Sequence, residues 1–409
     1  MTLRKAARKD KAAGRPLRVA QIHWAFPPTI GGVETHLTVL MPELAKTGHT
    51  VFLLTGAMRD LPEFTNFEGI DVQRSPYLSL DYLLTHDPEL LQEEIRATLQ
   101  KFLERVKPDV IHAHNLHYFS YVHAQTLSAL ARKKGIPLLL TAHNAWDDIL
   151  FLQLSRDVPW DHIIAVSHFI KRELMGVGCE EGKITVIHHG IDVAKFHPRI
   201  NPAPMLRRFP KLRGRRVVFH PARMGLAKGS DVAVKAFRLV QEKFGDAVLV
   251  LAGAGNIVDW AQSQEKDIAY ILNLIKYFGL KKNVLIDTFH LEEMPAMYAT
   301  CQVAIYPSSA PEPFGLTMLE AVASGRPMIV TNMGGMPEVI RDNICGYVIP
   351  VRDHESLAAR IIHLLSHDQV RMRMGETGRA LAMDHFSHTL MTRQHAELYR
   401  RILAGAKAR

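Results

Sequence analysis

The chain is 409 residues long, 47 % apolar and 22 % charged, with a formal charge of +9. That length gives room for two domains with separate cores, the composition is that of a globular protein, and no run of about 18 apolar residues occurs that would span a bilayer. The charge is not spread over the surface: residues 1–18 carry a net +6, Arg400, Arg401, Lys407 and Arg409 add +4, and the remaining body is left at −1.

Residues 1–16 read as a solvated basic arm, able to touch an anionic membrane surface, with no nucleic-acid partner expected. No apolar core follows the arm, which argues against a signal peptide. Cys179, Cys301 and Cys345 are odd in number and far apart, so neither a disulfide framework nor a zinc site is expected, and a cytoplasmic location fits. His112, His114 and His117 invite a metal reading. Strand spacing puts the first two on one face, but no Asp, Glu or Cys accompanies them at ligand spacing, and no metal is expected.

Beyond the arm, Leu17 to His23 is an apolar strand that runs into Gly31-Gly32 and a helix ending at Gly48. A glycine pair between strand and helix lets a bulky anion approach the backbone closely. Strands are expected at 50–54, 110–113, 138–141, 162–166 and 185–187, an amphipathic helix at 88–106, and a less regular region up to Asp87. Alternating strands and helices of these lengths predict a doubly wound parallel sheet, in which ligands bind beyond the carboxyl ends of the strands. His143 stands at such an end, where it is either a site residue or a satisfied structural one. Closely spaced Pro198, Pro202, Pro204 and Pro210 mark a linker over 198–210.

A second alternating series follows, with strands at 217–220, 247–251, 284–287, 303–306 and 328–330. Arg223 and Lys228 share one loop and can bring two cationic heads to one diphosphate. Gly253-Ala254-Gly255 suggests a dinucleotide turn, but Val258 stands where the fingerprint needs glycine. The predicted domains are therefore 17–197 and 211–387, closed by a helix over 388–409 that is expected to pack back on the first domain.

The segment Pro311 to Gly325, PEPFGLTMLEAVASG, follows the 303–306 strand and reads as acidic loop then helix. Glu312 and Glu320 are expected to face whatever lies before the helix N-terminus. The amides of Phe314, Gly315, Leu316 and Thr317 point the same way, since the first turn of a helix has no internal partners for them. Carboxylates for hydroxyls beside amides for an anion suit a sugar nucleotide. The alternative is an ordinary crossover with solvated glutamates.

With Glu312 and Glu320 matching an E-x7-E pattern, and with Gly31-Gly32, Arg223 and Lys228, His188-His189-Gly190-Ile191-Asp192 and Gly334-Gly335-Met336-Pro337-Glu338 in order, the chain resembles the family 4 retaining glycosyltransferases. The resemblance implies the GT-B fold, two Rossmann-like domains facing across a cleft, with the acceptor on the N-terminal and the donor on the C-terminal side. It implies that Glu312 and the amides of Phe314, Gly315 and Leu316 hold the donor sugar, Thr317 the phosphate and Glu320 the ribose. Arg223 and Lys228 would neutralise the diphosphate, Gly31 and Gly32 approach it, and His143 line the reaction centre. No cofactor beyond the nucleotide-sugar co-substrate is implied, and no D-x-D metal clamp is present. The expected function is transfer from a UDP-sugar, or next a GDP-sugar, to a hydroxyl of a small soluble acceptor. Open alternatives are a lipid or polysaccharide acceptor at the inner membrane face, a sugar-nucleotide epimerase, and an inactive binding protein.

Overall fold

The computed structural model describes residues 15–29, 31–146, 148–253 and 261–407, so residues 1–14 of the basic arm and most of the 253–258 glycine turn lie outside the described residues. The N-terminal sheet comprises β1 (Arg18–Ile22), β2 (Thr50–Gly56), β3 (Phe64–Phe67), β4 (Ile70–Ser75), β5 (Val110–His114), β6 (Leu138–Ala142), β7 (His162–Ala165) and β8 (Ile184–Val186). Its eight strands run in the order β3-β4-β2-β1-β5-β6-β7-β8. The second sheet comprises β9 (Arg216–His220), β10 (Ala247–Ala252), β11 (Val284–Asp287), β12 (Val303–Tyr306), β13 (Met328–Thr331) and β14 (Gly346–Ile349). Its six strands run in the order β11-β10-β9-β12-β13-β14.

The central strands are continuous β-branched and leucine runs because helices cover both faces, which is what parallel sheets require. Strand β1 sits between β2 and β5 in register, Val19 opposite Val51 on one side and Val110 on the other. One edge departs from the parallel expectation: β3 pairs antiparallel with β4. The region up to Asp87, expected to be irregular, in fact holds both strands. Strand β4 hides its type because Gln73 and Arg74 are buried polar residues; Gln73 bonds Glu63, and the two terminal nitrogens of Arg74 bond Thr65 and the carbonyl of Pro27.

The 198–210 stretch is also more ordered than a linker. Ala203–Arg208 is helical, with prolines in its first turn where they cost no hydrogen bond. Arg208 pairs with Asp287 and Glu293, fastening this stretch to the second sheet. The chain crosses back near Phe386, whose carbonyl accepts from the Ile191 amide at 2.8 Å, while the His388 amide donates to Ile191 at 3.0 Å. The final helix, His388–Lys407, then packs on the helix Gly32–Lys46 of the N-terminal domain. Its Tyr399 is fully buried, 2.7 Å from His112 Nδ1 and 3.4 Å from Gln21 Nε2. Among the described residues no helix is long and apolar enough to cross a membrane, and all three cysteines are free and buried.

Candidate functional site

The site lies between the carboxyl ends of the two sheets, where β12 gives way to the 307–315 loop. That loop is pinned from several sides. The Ser309 amide donates to Ala227 O at 3.0 Å and the Gly335 amide to Glu312 O at 2.8 Å, and the Thr331 hydroxyl donates to Ser308 O at 2.6 Å. The Gly334-Gly335 pair has a structural reason: a Cβ at Gly334 would lie 2.3 Å from Glu312 O, and one at Gly335 2.4 Å from Pro313 O. This second glycine pair cradles the acidic loop.

Glu312 Oε2 accepts from the Tyr306 hydroxyl at 2.6 Å and from Lys228 Nζ at 2.9 Å. Burial first, and the neighbouring Glu312 second, raise the Tyr306 phenol well above its ordinary value, so it stays a donor. The loop carrying Lys228 is locked to β12 at Gly229, which has φ +74° and whose missing Cβ would sit 1.8 Å from Pro307 O. Gly229→Ala is therefore expected to destabilise the protein by at least the ~1–3 kcal/mol of a strained backbone position, read as a lowered urea midpoint. Arg223 is exposed on the rim of the same loop.

A cleft of ≈ 370 Å³ is lined on this side by Arg223, Lys228, Tyr306, Glu312, Pro313, Phe314, Gly315, Leu316 and Thr317, and on the other by Gly32, Val33, His143, Asn144 and His189. Two helix N-termini reach it, Leu316–Ala323 behind Gly315 and Gly32–Lys46 behind Gly31. Free amides and the positive dipole ends of both helices favour an anion between them. A Cβ on Gly32 would meet no protein atom, which leaves that face of the backbone free for a ligand; one on Gly31 would strike the Glu34 carboxylate at 2.2 Å. Gly31 thus shapes the turn without lining the cleft. Glu34 is held in place by His23 at 3.1 Å.

One expected placement needs correction. Glu320 does not face the cleft: it is buried and accepts from the Tyr298 hydroxyl at 3.0 Å. A residue four positions into an eight-residue helix lies over the preceding turn on the inward face. Burial raises its carboxyl to about 7, with the Tyr298 hydrogen bond opposing. His143 lines the cleft, but its Nε2 is 2.9 Å from His114 Nδ1 and its Nδ1 is 3.4 Å from His189 Nε2. Both ring nitrogens thus lie within hydrogen-bond distance of other histidines. Tyr306 and His189 join the site beyond the residues expected from sequence. Tyr306 was legible as the last residue of the strand that delivers the acidic loop.

Behind His143 lies a row of imidazoles. His189 Nδ1 is 2.9 Å from His36 Nδ1, and His114 Nε2 is 2.7 Å from Gln21 Oε1. Burial above all, then neighbouring histidines, holds His36, His112, His114 and His143 well below the ordinary imidazole value. His189 is lowered to about 3 and His395 to about 4, again by burial first. His36, His114 and His143 are close enough to share a metal ion, as are His168, His188 and Glu338 at the domain seam. In the first group His114 Nδ1 and His143 Nε2 bond each other, while His36 Nδ1 bonds His189 and its buried Nε2 has no partner. In the second, both Glu338 oxygens accept amides, from His168 and Phe169, at 2.8 Å.

That Glu338 contact joins the domains by capping the helix His168–Gly176 from the opposite side of the seam. Burial opposes its charge, yet the bonds from His188 and from the two amides hold its carboxyl below the ordinary value. Ser167 adds a 2.6 Å hydrogen bond to Pro313 O, so the acidic loop is seated against the N-terminal domain.

Two α/β domains, each built on a largely parallel sheet, face each other across this cleft, which is the GT-B architecture. The model for Glycosyl transferases group 1 matches residues 206–381, and that for Glycosyltransferase Family 4 matches residues 30–195. The chain belongs to family 4 of the glycosyltransferases. It is 26 % identical over 368 residues to an uncharacterized glycosyltransferase of Methanocaldococcus jannaschii, covering 86 % of this chain and 89 % of the relative. Its fold matches a glycosyltransferase from Rickettsia africae with TM-score 0.81 at 20 % identity, over 95 % and 99 % of the two chains. It also matches Anabaena HepE in complex with UDP and glucose, with TM-score 0.75 at 18 % identity, over 93 % and 99 %.

Proposed function

We propose that the protein transfers a sugar, with retention of configuration and without a metal ion, from a UDP-sugar to a hydroxyl of a small soluble acceptor. The observation that carries this reading is Lys228 Nζ, held 2.9 Å from Glu312 between two helix N-termini. Lys228 and Arg223 supply the fixed positive charge that a divalent ion supplies in other transferases. The cleft volume of ≈ 370 Å³ falls within the usual range for small-molecule sites. The choice of UDP leans on HepE, a fold neighbour seen with UDP and glucose.

When the donor enters, its diphosphate takes Lys228 from Glu312, and Glu312 turns to the sugar hydroxyls. The bond between the anomeric carbon and the phosphate oxygen breaks. Charge develops on the diphosphate where Lys228, Arg223 and the amides of Gly315, Leu316 and Thr317 wait for it, so they stabilise the transition state more than the ground state. The acceptor oxygen bonds the same face of the anomeric carbon, and its proton passes to the departing phosphate oxygen. With no free nitrogen on His143, the leaving group is the base.

A thermal-shift panel of UDP- and GDP-sugars tests the donor assignment. A specific UDP-sugar at a hundredfold excess over Kd should add about 2.7 kcal/mol of stability. No shift with any UDP-sugar, against a clear shift with a GDP-sugar, would reassign the base.

A further inference from the structure

At the seam between the domains, two imidazoles and a carboxylate converge. His168 begins the helix His168–Gly176 and His188 lies in the loop after β8, both in the N-terminal domain, while Glu338 comes from the short helix Met336–Val339 of the C-terminal domain. A ligand atom of each lies within 4.8 Å of the other two. The three are far apart in sequence, so no ligand spacing announces them.

The carboxylate is already oriented. Its Oε1 accepts the Phe169 amide and its Oε2 the His168 amide, both at 2.8 Å, the support that a ligating carboxylate draws from its surroundings. Against burial, these bonds and the one from His188 keep it ionised. His188 Nε2 lies 3.2 Å from Glu338 Oε2 and, facing an acceptor-only group, carries the proton between them. Its ring is held by Phe314 at 5.2 Å and 16° and by Phe386 at 5.5 Å and 65°. Two ligands ~2.1 Å from a tetrahedral ion stand about 3.4 Å apart. An ion therefore fits in place of that proton with little movement of either group. His168 is exposed, its ring 5.8 Å from that of His188, and is free to turn toward the pair. Two imidazoles and one carboxylate suit a borderline ion such as zinc, whereas magnesium takes oxygen ligands.

We propose that His168, His188 and Glu338 bind a zinc ion that ties the two domains together. The ion replaces the His188 Nε2 proton, which leaves to solvent. Glu338 Oε2 keeps its amide bond and gives the metal the lone pair that now faces His188. His168 supplies the third ligand and water the fourth. None of the three residues lines the cleft, so the ion stands apart from the transfer chemistry. It acts by position: Ser167 beside it bonds Pro313 O and His188 stacks on Phe314, so the tie holds the acidic loop against the N-terminal domain.

The test uses protein stripped with EDTA and dialysed, titrated with zinc against a chromophoric chelator, in wild type, His168→Ala, His168→Cys and His188→Ala. One equivalent is expected to bind wild type with micromolar affinity or tighter. Affinity should fall at least tenfold in His168→Ala and His188→Ala and recover in His168→Cys, whose thiolate is also a zinc ligand. Zinc should slow hydrogen exchange at the His168 and Phe169 amides, which cross the seam to Glu338, in wild type and not in His168→Ala. Unchanged affinity in His168→Ala places the ion elsewhere, as at the adjacent His363 and His367 rings, and overturns the proposal. So does the absence of one-equivalent binding in wild type, or zinc binding that leaves exchange at the seam amides unaltered. None of these readouts uses a donor, so they decide the site whether or not the transfer reading holds.

Discussion

Lys228→Ala is expected to lower turnover by a hundredfold or more while leaving weak donor binding. The ammonium is 2.9 Å from Glu312, on a loop locked by Gly229 against Pro307, so its position is set before any donor arrives. Removing one such preorganised donor to a developing anion typically costs about 3–4 kcal/mol in the transition state. Ground-state binding suffers less, because Arg223 and the amides of two helix N-termini remain. The kinetic signature is a fall in kcat with a smaller change in donor Kd, separable by single-turnover assay and calorimetry. Lys228→Arg should recover only part of the loss, since a planar guanidinium does not place a point charge where an ammonium does. Near wild-type kcat in Lys228→Ala would remove the assigned role.

Acid should unfold this protein early. Six histidines, His36, His112, His114, His143, His189 and His395, are buried together in and behind the cleft wall, and all have lowered pKa values. In the unfolded chain they protonate near the ordinary value of about 6.5. In the folded chain they do not until far lower pH, to about 3 for His189 and about 4 for His395. Between those limits the unfolded state binds more protons, so stability is present above about 6.5 and is lost as pH falls. Each group contributes on the order of 1 kcal/mol per pH unit. Six together approach the whole stability of a typical domain, about 5–15 kcal/mol, within one to two units.

Glu320 works in the opposite direction. Its carboxyl is raised to about 7, so that single group favours the fold as pH falls toward the ordinary carboxylate range, and one group does not offset six. The expected result is a Tm that drops steeply from pH 7 to pH 5, with a shallower drop in His395→Gln. A flat Tm over that range would contradict the burial of these imidazoles in their neutral form.

Most of the architecture was legible because it depends on local pattern. Short, β-branched-rich apolar runs such as Val303 to Tyr306 and Ala247 to Leu251 fit buried strands, and their alternation with helices points to parallel sheets. Strand β4 escaped because Gln73 and Arg74 are polar, and what makes them tolerable lies elsewhere, at Glu63, Thr65 and Pro27. Prolines at 202 and 204 read as chain breakers although they begin a helix, where a missing N–H costs nothing. At the site, the loop carrying Glu312 and the lysine-bearing loop were readable from residue type and glycine placement. The inward turn of Glu320 depends on Tyr298, twenty-two residues earlier. The histidine cluster was least readable: spacing places His112 and His114 on one face, but His36, His189 and His395 arrive from a helix, the loop after β8 and the C-terminal helix.

As proposed, the cleft between Gly32 and the Lys228–Glu312 pair transfers a sugar from a UDP-sugar by charge that the protein itself supplies. This is tested most directly by a proton NMR time course with UDP-sugar and a small soluble acceptor in excess EDTA. UDP and glycoside should appear at equal rates, with the new linkage keeping the donor's anomeric configuration. Product of inverted configuration, or loss of all turnover on adding EDTA that magnesium or manganese restores, would contradict it.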